Sequence, residues 1–249
     1  MSPAFRLSSV DLSQLRPADD IAPATAVLPT GHAALDAHLP GGGWPLDGMV
    51  EILQTQPGRH AWQLLLPALA QAVRSQVGPV VLVGQPFAPF GPSLAAQGLP
   101  GERLLCVHSA APVARLWATE QALRCAEVAA VLAWLPRARG PELRRLHIAA
   151  QQHNRLLFVF REERARQEAS PARLRLLLEG AGDEGVHSLQ LHILKRRGPP
   201  LETPLRLPAH PPRLAALLQA RQGRVAREAA ASALQTGRSH ALDRIAVAG

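Results

Sequence analysis

Residues 54–61 follow an apolar run at 49–53 and stand where a nucleotide-binding protein would place its phosphate loop. Such a loop needs glycines that let backbone N–H groups approach the phosphates, a lysine for the outer phosphates, and a Ser or Thr hydroxyl for Mg²⁺. The only lysine of the chain is Lys195, so His60 stands at the lysine position, and Ala61 stands at the position of the hydroxyl residue. The sequence therefore predicts a degenerate loop, in which the mismatched or altered positions are Gln54, Pro57, Gly58, Arg59, His60 and Ala61.

The carboxylates that nucleotide hydrolysis requires are also missing. A carboxylate at the end of a later strand normally orders Mg²⁺ or its water shell, but the apolar run at 129–134 ends in Trp134. The run at 80–83 continues into Gly84 and Gln85, so no acidic residue follows it either. We predict a pseudo-ATPase without catalytic residues, cofactor or metal site, and keep weak ATP binding or hydrolysis as an alternative.

Composition sets the broad class of the protein. The formal net charge is +8 and nearly all of the positive charge is arginine, whose planar side chain suits phosphates and carboxylates. This favours a nucleic-acid or acidic-protein partner, although a GC-biased genome would produce the same composition. Cys106 and Cys125 lie in apolar contexts, and no stretch of about 18 apolar residues occurs. We expect buried, reduced thiols in a cytoplasmic protein that does not enter the membrane.

The pattern of apolar segments predicts an α/β fold. Between residues 49 and 160 short apolar runs alternate with helical stretches, which is typical of a mostly parallel sheet flanked by helices. Residues 173–179 and 186–194 alternate with period two, so we expect an antiparallel addition at the sheet edge. We assign residues 1–26 to an N-terminal arm or linker, 27–200 to the core, and 201–249 to a Pro-rich linker and C-terminal helical tail, with helices near 212–220 and 225–234.

A glycine-rich turn precedes this core. We interpret Asp36 as a residue that caps or hydrogen-bonds the turn, and Gly41, Gly42 and Gly43 as suppliers of backbone conformations that other residues resist. These roles are structural.

Motifs spread over residues 27–198 resemble the ImuA family, a group of bacterial RecA-like proteins. The most specific are LPTG at 28–31, LD at 35–36, LPGGGWP at 39–45 and ILKRRG at 193–198. LLLPAL at 64–69, WATEQALR at 117–124, VLAWLP at 131–136, LRRL at 143–146 and SPARLRL at 170–176 agree in the same order.

The resemblance implies a RecA-like core and a non-catalytic accessory role in SOS-induced translesion DNA synthesis. The implied partners are ImuB, an error-prone DNA polymerase III alpha-type subunit and RecA, and self-association is open. The family is also described as similar to SulA, so inhibition of cell division through FtsZ is the competing function.

In a RecA-like core, residues 161–170 would take the place of a mobile DNA-contacting loop. We predict a basic surface there for single-stranded DNA or an acidic partner. Its candidate members are Arg161, Arg164, Arg166, Arg173, Arg175, Lys195, Arg196 and Arg197. An equally good interpretation is that Glu162, Glu163 and Glu168 neutralise these arginines locally.

Overall fold

The computed structural model describes residues 26–180 and 188–210, together with positions 220, 224 and 227. In chain order the elements are β1 Val27–Leu28, α1 Ala33–Asp36, β2 Trp44–Pro45, β3 Met49–Gln54, α2 Ala61–Ser75, β4 Val80–Val83, α3 Gly91–Ala95, β5 Leu104–Val107, α4 Pro112–Arg124, β6 Ala130–Trp134, α5 Gly140–Gln152, β7 Leu156–Glu162, β8 Leu174–Gly180, β9 Ser188–Lys195 and β10 Leu205–Pro208. Short 3₁₀ turns occupy Pro40–Gly42, Gly101–Arg103 and Glu163–Gln167.

Eight of the strands form one sheet in the order β10-β9-β8-β3-β7-β6-β4-β5. The six strands from β8 to β5 run parallel, whereas β9 and β10 are antiparallel to their neighbours. A separate antiparallel pair joins β1 to β2. This architecture confirms the predicted α/β fold with a mostly parallel sheet and an antiparallel edge addition.

The direction of β8 differs from the prediction. We expected residues 173–179 to belong to the antiparallel addition, but β8 pairs parallel with β3, with Leu176 opposite Ile52. Its alternation does not reflect a solvent-facing side, because Arg175 is buried among ion pairs inside the protein. The alternation of β9 does mark a half-buried strand, since Leu189, Leu191 and Ile193 are buried and the residues between them are partly exposed.

The sheet extends into the segment that we assigned to the linker. Strand β10 pairs antiparallel with β9 and buries Leu207, and its Pro208 lies at the sheet edge, where a missing backbone N–H is tolerated. The predicted N-terminal arm, apart from residue 26, and the predicted helices at 212–220 and 225–234, apart from single positions, lie outside the described residues.

Helices cover both faces of the sheet. Leu64, Leu65 and Leu69 of α2 pack on one face, and Leu143 and Leu146 of α5 pack on the other. The carboxyl ends of the parallel strands therefore meet at one rim, where connections leave toward opposite faces. Ligand sites of open α/β sheets usually form at such a rim.

The prediction that both cysteines are buried was wrong. Cys106 and Cys125 are both exposed. Cys106 lies on β5, the last strand of the sheet, and Cys125 directly follows the end of α4. Apolar neighbours in the sequence do not guarantee burial at the edge of a sheet or at the end of a helix.

Candidate functional site

The degenerate loop is closed by its own side chains. Gln54 ends β3 and is only 2% exposed. Its Oε1 accepts a hydrogen bond from the Gly58 N–H at 3.1 Å, and its Nε2 donates to the Arg59 carbonyl at 2.6 Å. The glutamine thus fills the inside of the turn and occupies a backbone N–H of the kind that a phosphate would need.

The left-handed backbone positions of this loop are Gly58, with φ of 77°, and His60, with φ of 61°. A Cβ on Gly58 would lie 2.6 Å from Pro86 Cγ, so the loop packs closely on the residues that follow β4. Gly58 is therefore the glycine whose left-handed backbone the turn requires. Arg59, the next residue, is exposed and donates a hydrogen bond to Gln56 Oε1 at 2.8 Å.

His60 takes the place of the loop lysine but does not replace its charge. Burial lowers the pKa of His60 below its ordinary 6.5; a hydrogen bond with Gln63 opposes this shift, and the positive charge of Arg59 adds to it. The imidazole is consequently neutral at pH 7. Ala61, the first residue of α2, is buried and offers no hydroxyl for a metal ion.

Aromatic packing occupies the end of β6, where a nucleotide-hydrolysing protein would carry a metal-ordering carboxylate. Trp134 at the end of β6 stacks on Phe160 of β7, with ring centroids 4.4 Å apart and planes 10° apart. After the end of β4, the amide nitrogen of Gln85 lies 3.3 Å from Nε2 of His108. No three His, Cys, Asp or Glu side chains within the described ranges are grouped so that they could hold a metal ion.

A buried ionic cluster lies beneath the rim, and the sequence did not reveal it. Glu51 of β3 is fully buried, and its Oε1 accepts a hydrogen bond from Arg161 Nη1 of β7 at 3.1 Å. Its Oε2 lies 2.8 Å from Arg175 Nε of β8, an ion-pair contact whose angles fall outside hydrogen-bond geometry. These three adjacent strands place one carboxylate between two guanidinium groups, both of which are almost fully buried.

The two arginines of this cluster position the loops of the rim. Arg161 Nη2 donates to the Ala138 carbonyl at 2.9 Å and to Glu168 Oε2 at 2.7 Å. Arg175 donates hydrogen bonds to the carbonyls of Ala165 and Arg166 within the 3₁₀ turn and to the carbonyl of Glu168 directly after it. Hydrogen bonds from Arg161 also lower the pKa of the Glu168 carboxyl, despite an opposing desolvation effect.

The predicted basic surface therefore needs correction at Arg161 and Arg175. Their guanidinium groups point into the protein, because a buried carboxylate on β3 holds them, and they are not available to phosphates. Within residues 161–170, Glu163–Gln167 form a 3₁₀ turn that several hydrogen bonds hold in place. The segment thus has a defined internal role in the fold.

The other residues of the predicted basic surface are mostly exposed, and several of them form ion pairs or hydrogen bonds within the protein. Arg164 pairs with Glu162 at 2.7 Å, Arg173 with Asp47 at 3.0 Å, and Lys195 Nζ donates to the Ser170 carbonyl at 3.0 Å. Arg196 is half-buried and donates to the carbonyls of Pro199 and His38. Arg166 and Lys195 line one groove, whereas Arg197 is exposed nearby.

Asp36 has a different partner from the one that we predicted. Its Oδ1 accepts a hydrogen bond from the Thr30 N–H at 2.9 Å, which lies before α1 and outside the glycine turn. Gly41 and Gly42 both have φ of 76°, as expected for positions that other residues resist. Gly43 is required for another reason, since a Cβ there would lie 2.4 Å from the Leu28 carbonyl oxygen.

A cavity of about 640 Å³ opens at the same rim, on the face covered by α4 and α5. Arg115, Arg137 and Arg139 line it. Sequence reasoning missed these residues because they belong to a helix and a separate loop, and no spacing pattern connects them. The only available signal was the arginine content of residues 137–145.

Comparison with known proteins finds similarity to two kinds of bacterial protein. Protein ImuA of Caulobacter vibrioides is 31% identical over 135 residues, which are 51% of this chain and 54% of that protein. The cell division inhibitor SulA of Photorhabdus laumondii is 32% identical over 96 residues, which are 38% of this chain and 51% of that protein. The chain is therefore similar to an ImuA protein and to a SulA protein, in each case over about half of that protein's length.

This relationship confirms the resemblance drawn from the motifs. The chain spans about half the length of the curated relatives it matches. No protein-family model matches it. In the part of the chain that the structure describes, no helix has the length and apolar character needed to span a membrane.

Proposed function

We propose that this protein is a non-catalytic accessory component of SOS-induced translesion DNA synthesis. In this role it binds other proteins of the damage response, with ImuB, RecA and an error-prone DNA polymerase subunit as the candidate partners. The observation that carries the proposal is the closed loop at residues 54–60, combined with the similarity to Protein ImuA over half of the chain.

Three features of the rim support a pseudo-ATPase. Gln54 occupies the inside of the loop, His60 is neutral, and the Trp134–Phe160 stack replaces a metal-ordering carboxylate. Phosphoryl transfer depends on positioned positive charge and a metal ion. An α/β core whose loop has no lysine, and whose strand β6 ends in Trp134 in place of a metal-ordering carboxylate, still offers a rigid surface for binding partners.

Inhibition of cell division is the second candidate function. It is favoured by one specific observation, the 32% identity to the cell division inhibitor SulA. This candidate predicts that FtsZ is the binding partner. Weak ATP binding is the third, and it conflicts with the side chains that close the loop.

Direct binding assays with purified proteins separate these functions. The full chain is immobilised, and ImuB, RecA and FtsZ are passed over it separately at physiological salt, each with bovine serum albumin as a non-binding control. We expect saturable binding to ImuB or RecA that does not require ATP on the immobilised chain. Binding to FtsZ without binding to ImuB or RecA would contradict the proposal and support the SulA-like function.

A further inference from the structure

The cavity of about 640 Å³ lies between the first turn of α4, the connection at 135–139 and the first turn of α5. It is separate from the closed loop, which leads into α2 on the opposite face of the sheet. Arg161 fixes the floor of the cavity through its hydrogen bond to the Ala138 carbonyl. The buried ionic cluster therefore gives this cavity a defined shape.

The charge of the cavity is positive. Arg115, Arg137 and Arg139 line it, and Glu142 is the only acidic residue among its lining side chains. Glu142 Oε2 already accepts the Arg139 backbone N–H at 2.7 Å, at the start of α5. Three guanidinium groups beside two helix N-termini create a potential that attracts carboxylates or phosphates.

Most of the lining is aliphatic. Val113, Leu116 and Leu135 contribute apolar surface, and Val113 is 75% exposed. Trp117 follows one turn later on α4 and is 61% exposed, so the apolar surface continues beyond the mouth of the cavity. Large exposed apolar side chains beside a concave basic surface are typical of protein-binding sites.

The lining also distinguishes between two anionic partners. Sites for single-stranded DNA combine a positively charged groove with exposed aromatic rings on which successive bases stack. The one aromatic residue of the lining, Trp134, is 6% exposed and already stacked on Phe160. An aliphatic cavity instead accepts an apolar side chain, and its basic rim pairs with neighbouring carboxylates.

We propose that this cavity is a docking site for an acidic peptide segment of a partner protein, with one bulky apolar side chain inserted into the cavity. Carboxylates of the segment pair with Arg137 and Arg139 at the rim, and Arg115 contributes positive charge from α4. The site is a property of this chain and does not depend on which damage-response protein supplies the segment.

The test selects twelve-residue peptides from a random displayed library on the full-length protein, then measures fluorescein-labelled peptides by anisotropy. We expect the selected peptides to be rich in Asp and Glu around one large apolar residue. The double substitution Arg137→Ser and Arg139→Ser should weaken their binding by about tenfold or more. Because Ser is a favoured helix N-cap, the change at position 139 is compatible with the start of α5.

Two further variants make the result specific. Arg164→Ser with Arg206→Ser removes the same charge from exposed positions outside the cavity and should change the affinity less than about twofold. Val113→Asp places a negative charge in the cavity and should weaken binding as strongly as the arginine changes. Equal binding by the cavity variants and the wild type would overturn the proposal, as would selected peptides without acidic character. Arginine-dependent binding of oligo(dT) in place of the peptides would show a nucleic-acid site and would also overturn it.

Discussion

Replacing Glu51 by Gln should destabilise the protein strongly, because it removes the carboxylate that Arg161 and Arg175 share. The variant keeps the shape of the side chain, but its amide group donates toward a guanidinium that also donates. Breaking a buried pair by removing one partner costs about 3–5 kcal/mol. The side chains of all three residues are at most 8% exposed, so solvent cannot substitute for the lost charge.

Thermal unfolding of the full chain, followed by circular dichroism, measures this effect. For a chain of this size about 2–4 °C of melting temperature corresponds to 1 kcal/mol, so we expect a decrease of roughly 6–20 °C. Glu162→Gln is the matched control, since its pair with Arg164 is exposed and is worth less than about 1 kcal/mol. Melting temperatures that agree between the two variants would refute the structural role assigned to Glu51.

Two other predictions concern stability. Gly43→Ala should lower the free energy of unfolding by about 2 kcal/mol or more, because the added Cβ would overlap the Leu28 carbonyl. Gly140→Ala is the control, since a Cβ at that position meets open space. Equal midpoints of chemical denaturation for the two variants would argue against the close contact at Gly43. Burial lowers the pKa of His32, whose Nε2 donates to the Leu64 carbonyl at 3.0 Å, below the ordinary 6.5. The unfolded chain then binds the proton more readily, so this contribution to stability is complete above pH 6.5 and is lost as the pH falls below it. Urea denaturation between about pH 5 and pH 7.5 should show a smaller pH dependence in His32→Gln, and an unchanged slope would exclude this histidine as a source.

The parallel sheet and the degenerate loop were accessible from the sequence. Uninterrupted apolar runs such as 80–83 and 156–160 are too short for typical helices and therefore indicate buried strands. Their alternation with helical segments predicts a parallel sheet. The absence of a lysine from the loop, and the alanine at the position of the hydroxyl residue, can be read directly from the sequence. The inward bonding of Gln54 was not accessible, because a polar residue after a strand usually faces solvent.

The roles of Arg161 and Arg175 illustrate what sequence alone could not provide. Their shared partner, Glu51, lies 110 residues before Arg161 in the chain, and only strand order brings the three together. Local acidic residues offered a simpler pairing, which Arg164 and Glu162 do form. For the same reason, the positive cavity between α4 and α5 became visible only after the helices were placed.

Calorimetric titration of the full chain with ATP and Mg²⁺ tests the central claim most directly. If Gln54 closes the loop and no group replaces the lysine, titration up to about 1 mM nucleotide should give no saturable heat. A saturable isotherm with a dissociation constant of about 10 µM or lower would contradict the account if the binding occurs in this loop. The variant His60→Glu locates the binding, because it should abolish the heat of a nucleotide bound there.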